Sequence, residues 1–148
     1  WYGALHNDKH CPNGNKLRTF RLHKSKVEVE SYVKCVSRIP RSTLARLRCG
    51  SLPLNVETGR YQGQSLETRI CILCDSNAIE NEIHFTIDCS FYDDLRYNLF
   101  SSFSQHYPDF NIMPSLTKYC TIMNDDTHYR LLAETVNSMF KRRQSYVK

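Results

Sequence analysis

The hydrophobic pattern in the first third of the chain predicts two short amphipathic helices. Pro40 is expected to end the first helix, which would cover about 27–37, and Ser42 is expected to cap a second helix that ends at Gly50. The second helix would turn its leucines inward and its arginines outward. The first prediction depends on apolar residues at the i, i+3, i+4, i+7 spacing of one helical face, namely Val29, Tyr32, Val33 and Val36.

The second half of the chain carries three further apolar stripes at helical spacing. The first stripe begins near Ser90, the second follows Pro114, and the third follows the turn-forming run of Asn124, Asp125 and Asp126. The stripes consist of Tyr92, Leu95, Leu99 and Phe103; of Leu116, Tyr119, Cys120 and Met123; and of Tyr129, Leu132, Ala133, Val136, Met139 and Phe140.

Together these stripes predict a small, mainly α domain of about five helices over residues 16–148. Residues 1–15 are rich in turn-forming residues and are expected to be a tail or linker. Residues 52–61 are expected to be a turn-rich connector, with tight bends at Gly59 and, just after the connector, at Gly63. The expected core consists of Val29, Val33, Leu44, Leu47, Leu95, Leu99, Leu132, Val136 and Phe140.

A Cys-x2-Cys-x9-His-x4-Cys motif lies at the centre of the predicted domain. Cys71, Cys74, His84 and Cys89 can close a tetrahedron around one zinc ion, and we call residues 71–89 the knuckle. Buried or redox-active cysteines are the alternative, because seven cysteines make a chance Cys-x2-Cys pair plausible. Acidic residues of the intervening segment are candidate outer partners of the ligands.

The same motif argues against an enzyme. A catalytic zinc keeps one coordination position open for water, whereas here four protein ligands would fill all of them. The run from Phe91 to Asp94 matches the aromatic-x-Asp-Asp pattern of polymerase active sites, but Ser90 followed by Asp93 is more typical of a helix start. The sequence has no evident Ser-His-Asp arrangement and no phosphate-binding glycine loop.

Positive charge is concentrated before the knuckle. The chain has a net charge of +5, but residues 16–48 hold ten Lys or Arg against two Glu, which is +8, and the remainder is therefore −3. A concentrated basic surface favours a polyanionic partner, and a solvated face or an acidic protein partner is the alternative. The expected phosphate contacts are Arg18, Arg21, Lys24, Lys26, Arg41, Arg46, Arg48 and Arg60.

The basic end of the last helix, residues 141–143, is interpreted as a solvated terminus rather than as a second phosphate contact. The four cysteines outside the motif, Cys11, Cys35, Cys49 and Cys120, are expected to be free thiols in a reducing compartment. The chain begins with Trp1 rather than Met, which predicts a fragment of a longer polypeptide. No apolar run is long enough to span a membrane, and we expect a nuclear or cytoplasmic location inside the cell.

The knuckle and the stretches around it resemble a known family. Residues 44–61, 67–74, 79–85 and 89–96, and more loosely 15–22 and 139–143, are similar to the zinc-knuckle region near the C-terminus of animal non-LTR retrotransposon reverse transcriptases. The resemblance implies a CCHC zinc module attached to a polymerase, with Cys71, Cys74, His84 and Cys89 as ligands. It also implies that the module helps to hold RNA or target DNA.

The sequence therefore predicts a non-catalytic, zinc-binding accessory domain that contacts RNA or DNA mainly through phosphates. Any polymerase or endonuclease activity would lie in other parts of a longer protein. The alternative is a structural or protein-interaction zinc module that packs on the polymerase or on another partner.

Overall fold

A computed structural model describes residues 17–26 and 28–147 and shows a mainly helical fold. The predicted tail, residues 1–15, lies outside the described residues. Within them, no helix is both long and apolar enough to cross a membrane. The α-helices are α1 (Phe20–His23), α2 (Tyr32–Cys35), α3 (Arg38–Arg48), α4 (Asn55–Tyr61), α5 (Asp93–His106), α6 (Ser115–Asn124) and α7 (Tyr129–Tyr146).

Shorter helical turns connect these helices around the knuckle. Three are 3-10 turns, at Leu66–Thr68, Ser90–Tyr92 and Phe110–Ile112, and His84–Asp88 forms a π-helical segment. The only strand-like pairing among the described residues is an isolated antiparallel bridge between Ile70 and Ile79.

The core forms where α7 packs against α3 and α5. The apolar stripe of α7 is buried along its whole length, which confirms the helix predicted from Tyr129. Leu44 and Leu47 of α3 and Leu99 of α5 are also buried, as expected. The hydroxyl of Thr43 donates to Asn137 Oδ1 at 3.1 Å and adds a polar contact between α3 and α7.

The helix predicted over 27–37 is largely absent. Among the described residues of this range, Tyr32–Cys35 alone is helical and residues 28–30 are not, so the four apolar positions do not share one continuous face. Tyr32 and Val36 are buried, but Val29 is 68% exposed and Val33 is 40% exposed, so the prediction that both valines belong to the core was wrong. A run rich in β-branched residues has a low helix propensity, which is consistent with the single turn.

Pro40 does not end a helix but lies in the first turn of α3. The helix begins at Arg38, and Ser37 rather than Ser42 occupies the preceding position. Proline is tolerated in the first turn because the backbone N–H groups there have no intrahelical acceptor. The predicted end is confirmed, since Gly50 has a φ of +66° and Ser51 N–H donates to the carbonyl of Arg46 at 2.8 Å.

The connector predicted over 52–61 contains a helix, α4, that the sequence analysis missed. Gly59, interpreted as a bend, lies inside this helix and is buried. A Cβ added to Gly59 would lie 2.7 Å from Arg69 Cγ and 2.7 Å from Gln64 Oε1. The glycine therefore lets the Arg69 side chain cross directly over α4, where its guanidinium donates to the carbonyl oxygens of Val56 and Gln64.

The aromatic-x-Asp-Asp run is a helix start, as predicted. A 3-10 turn over Ser90–Tyr92 leads into α5, and Asp93 and Asp94 occupy its first turn, where negative charge complements the helix dipole. The position before the 3-10 turn is Cys89 and the position before α5 is Tyr92, so the prediction of Ser90 as the capping residue was wrong.

We predict that Gly59→Ala lowers the free energy of unfolding by about 1–3 kcal/mol, because the new methyl group overpacks the contact with Arg69. Denaturant unfolding of the metal-loaded protein, followed by circular dichroism, measures the change. Gly63→Ala is the comparison: its Cβ would meet open space, but its φ of +69° is strained for alanine. An unchanged stability in Gly59→Ala would contradict the proposed close approach.

Candidate metal centre

The first two cysteines of the motif lie in a turn that the Ile70–Ile79 bridge closes. Cys71 N–H donates to the carbonyl of Ala78 at 2.8 Å, and Glu80 N–H donates to the carbonyl of Arg69 at 2.9 Å. Asn77 adopts a left-handed backbone with a φ of 53°, which asparagine tolerates better than most residues. The chain therefore reverses direction between Cys74 and Ala78.

The other two ligands lie at the two ends of the π-helical segment. Asn81 Oδ1 accepts a hydrogen bond from His84 N–H at 2.8 Å, and Cys89 N–H donates to the carbonyl of His84 at 2.8 Å. On a regular α-helix, residues five apart diverge by about 140°. The wider i to i+5 turn instead brings His84 and Cys89 toward the same side, which confirms the predicted distorted stretch before the helix.

The four predicted ligands converge on one point. Their ligating atoms all lie within 4.8 Å of one another. Cys71 Sγ is 3.8 Å from Cys89 Sγ, and Cys74 Sγ is 3.4 Å from His84 Nε2. A tetrahedral ion with sulfur ligands at about 2.3 Å requires edges of about 3.8 Å between two sulfurs and about 3.5 Å between sulfur and nitrogen. The arrangement can therefore hold a tetrahedral metal ion.

The crowded thiols compete for protons. The hydrogen bond to Cys89 lowers the pKa of Cys71, and the same bond raises the pKa of Cys89 above its ordinary value. The hydrogen bond with Cys71 raises the pKa of His84. A bound metal ion would displace the protons that these groups share, because bound thiols are deprotonated and bound imidazole is neutral.

The metal site borders the apolar core of the protein. Cys71, His84 and Cys89 are buried, and only Cys74 is half-buried, with the Ser76 hydroxyl 3.1 Å from its sulfur. Phe85 and Ile87, which project from the π-helical segment, are buried in the core. Tyr92 packs edge-on against Phe85 with ring centroids 5.0 Å apart.

Two of the four acidic residues of the knuckle, Glu80 and Glu82, pair with arginines from distant segments. Glu80 is 1% exposed, and its two oxygens accept hydrogen bonds from Arg143 Nε and a terminal nitrogen, both at 2.7 Å. Asn55 N–H donates to Glu80 at 2.7 Å. The prediction that residues 141–143 form a solvated terminus was therefore wrong for Arg143, and Arg142 is also paired, with Asp94 at 2.6 Å.

A second buried carboxylate, Glu82, is met by Arg18. The same guanidinium donates to Glu57 at 3.0 Å, and Glu57 also pairs with Arg60 at 2.7 Å. Burial raises the pKa of Glu82, against the lowering effect of the Arg18 charge. Arg18 and Arg60, both predicted to contact phosphates, are thus half-buried and paired with carboxylates of the protein.

Arg48 and Lys24 form a third internal cluster. Arg48 is 2% exposed and donates to Glu30 at 3.1 Å and to the carbonyl of Met123 at 2.5 Å. Its guanidinium also lies 5.4 Å from the centroid of the Tyr32 ring. Lys24 is buried and pairs with the other oxygen of Glu30. Neither cation is available to a phosphate in this structure.

The remaining predicted phosphate contacts lie nearer the surface. Lys26 and Arg46 are exposed. Arg41 and Arg21 are half-buried, and Arg41 donates to the carbonyl of Val33 at 2.6 Å. Four of the eight predicted contacts, Arg18, Lys24, Arg48 and Arg60, thus form ion pairs with carboxylates of the protein, and the other four are half-buried or exposed.

Arg96 is a further residue that the sequence analysis missed. It is buried and donates to the carbonyl of Cys89 at 2.5 Å and to that of Thr86 at 3.3 Å. These carbonyls lie where the π-helical segment gives way to the 3-10 turn, and that of Cys89 also accepts from Tyr92 N–H at 3.2 Å. The only signal in the sequence was a cation one turn into a predicted helix that begins next to a ligand.

The cysteines outside the motif do not join the site. Cys49 and Cys120 are free and half-buried, and burial raises the pKa of each thiol. Cys11 and the side chain of Cys35 lie outside the described residues. The metal candidate therefore consists of the four residues that the motif predicted.

No protein-family model, curated protein or solved structure matches the chain. The resemblance to the retrotransposon knuckle region therefore stays a prediction.

We predict that the folded chain binds one metal ion and that Cys89→Ser abolishes tight binding, because it removes one of four converging ligands. Native mass spectrometry with and without a chelator measures the stoichiometry. Cys120→Ser is the matched control, since this thiol is half-buried and lies outside the cluster. Full metal content in Cys89→Ser would contradict the assigned ligand set.

We predict that Arg143→Met lowers the free energy of unfolding by about 3–5 kcal/mol, because it leaves the Glu80 carboxylate buried without its cation. The double variant Arg143→Met with Glu80→Gln should recover much of that loss, because the uncompensated charge is removed. Chemical denaturation of the four proteins in a double-mutant cycle measures the coupling. Additive effects of the two substitutions would show that the pair is not coupled.

Proposed function

We propose that the metal is zinc and that its role is structural. The donor set of three thiolates and one imidazole is typical of structural zinc sites, and the observed separations fit its bond lengths. Four protein donors leave no open position for a substrate or water, which supports a non-catalytic site. The ion would join the Cys71–Cys74 turn to the π-helical segment.

We further propose that the chain is a nucleic-acid-binding accessory module, in keeping with its resemblance to the retroelement knuckle region. The observation that carries this proposal is the distribution of exposed charge. Between residues 26 and 46, the exposed cations are Lys26, Lys34, Arg38 and Arg46, and the exposed acid is Glu28. Beyond residue 46, Arg130 and Lys141 are the exposed cations, against eight exposed Asp or Glu in the described part of the chain.

The basic surface is narrower than the sequence predicted, but it is built on a rigid element. Arg38 and Arg46 lie eight residues apart on α3, with Ser42 between them on the same exposed face. The opposite face of α3 packs against α7. We call the exposed cations Lys26, Lys34, Arg38 and Arg46, together with the half-buried Arg41, the basic face.

Contacts of this kind position a strand through its phosphates and read little sequence. RNA and DNA are both suitable partners, and the retroelement resemblance favours neither of them. Binding through the basic face would weaken as salt rises, because it depends on the release of counterions from the nucleic acid.

The second candidate function is protein binding through the same surface. Val29, Val33 and Ile39 are exposed by 68%, 40% and 65%, and they lie in the sequence among the cations of the basic face. Exposed apolar side chains contribute little to phosphate binding but favour an acidic, partly apolar protein surface. The polymerase part of a longer parent protein would be one such partner.

We predict that Arg38→Glu with Arg46→Glu weakens binding to labelled single-stranded RNA and DNA at least tenfold and reduces the salt slope by about 1.4, since each phosphate contact on a single strand contributes about 0.7. Arg130→Glu with Lys141→Glu is the matched control, because it makes the same charge change at exposed positions of α7. Fluorescence anisotropy at several salt concentrations measures both quantities.

Equal weakening by the two double variants would reduce the effect to net charge and contradict an assigned interface. Absence of salt-sensitive binding in the zinc-loaded protein would contradict the nucleic-acid function. In that case Ile39→Ala, tested for loss of binding to the candidate polymerase partner, would test the second function.

A further inference from the structure

A groove of about 740 Å³ runs along one face of α5. None of its lining residues belongs to the basic face. Its opposite wall is formed by Ile87 and Asp88, which end the π-helical segment, and by Asn111 of the last 3-10 turn. A volume of this size accommodates several side chains of a bound segment. The α5 residues that line it share one helical face, at Asp93, Arg96, Tyr97, Phe100, Ser101 and Ser104.

The wall of the α5 groove offers aromatic surface. Tyr97 is 69% exposed, and Phe100 is half-buried with its ring edge-on to Phe110, at a centroid distance of 5.4 Å. A single exposed tyrosine on a surface is ordinary. Here, however, the exposed ring lies in a concave site beside a second aromatic side chain, where a partner side chain can cover both.

The charge facing the α5 groove is negative. Arg96 is 3% exposed, and its terminal nitrogens are engaged by Asp93, at 2.5 Å, and by the carbonyls of Thr86 and Cys89. The carboxylates remain at the surface: the Asp93 side chain is 69% exposed, and Asp88 is exposed with one oxygen accepting from Ser115 at 2.5 Å. The lining residues thus carry a net charge of −1, with two carboxylates against one buried, internally bonded guanidinium. The Lys118 ammonium lies outside the lining and donates to the carbonyl of Asn111 at 3.0 Å.

We propose that the α5 groove binds a basic peptide segment of a partner protein. A Lys or Arg of the segment meets Asp88 and Asp93, and its apolar side chains pack on Tyr97 and Phe100. Carboxylates steer and select a cationic partner, while buried aromatic contacts supply most of the binding energy. Nucleic acid does not fit this groove, because its phosphates would face the two carboxylates. The site is thus separate from the basic face and does not depend on the function proposed for it.

The test is a selection of random peptides displayed on phage against the zinc-loaded chain, followed by binding of the synthetic peptides. The expected peptides carry net positive charge and at least one aliphatic or aromatic residue. Their addition should shift amide resonances of α5 and Asn111 in nitrogen-15 spectra. Tyr97→Ala should weaken binding about tenfold, and Ser101→Arg should abolish it by adding bulk and positive charge inside the groove.

Tyr61→Ala is the matched control, because Tyr61 is also 69% exposed but lies outside the groove. Metal content and circular dichroism of each variant show whether it is folded. Three results would overturn the proposal: no enriched peptide, enriched peptides that are acidic or uncharged, or binding that survives both Tyr97→Ala and Ser101→Arg. Resonance shifts confined to the basic face would overturn it as well.

Discussion

Buried carboxylates that require partners hold the metal-bearing segment against the helical body. Glu57, Glu80 and Glu82 are each at most 6% exposed, and charges so far from water are tolerated only when they are paired and hydrogen-bonded. Arg18 and Arg143, from opposite ends of the described chain, are among the cations that meet them. The position of the knuckle relative to the helices thus depends on electrostatic pairing as much as on apolar packing.

The parts of this molecule that the sequence could predict are those governed by local spacing. The ligand set was evident because thiols and an imidazole at those intervals have few other roles, and α7 was evident because its stripe has the period of one buried helical face. The distorted segment before α5 was predictable for a geometric reason. A regular helix cannot bring His84 and Cys89 to one ion.

The predictions that were wrong concern features that depend on contacts between residues distant in the sequence. A run of cations in the sequence does not reveal which of them pair with buried carboxylates. The sequence therefore could not distinguish Arg48 and Lys24, which are paired, from Arg46, which is exposed. Gly59 was interpreted as a bend for a similar reason. Its lack of a side chain accommodates Arg69, a neighbour that no local pattern identifies.

The guanidinium groups of Arg18 and Arg143 both pair with glutamates of the knuckle. The structural unit is therefore much larger than the metal-binding motif. Loss of order at either end would leave a carboxylate buried without its cation, next to the residues that carry the ligands. The knuckle and the two ends should therefore open and close as a single cooperative unit, with similar protection from hydrogen exchange. An excised knuckle peptide would keep the four ligands, but it would lack the arginines that pair with its glutamates and would not reproduce the structure of the knuckle in this domain.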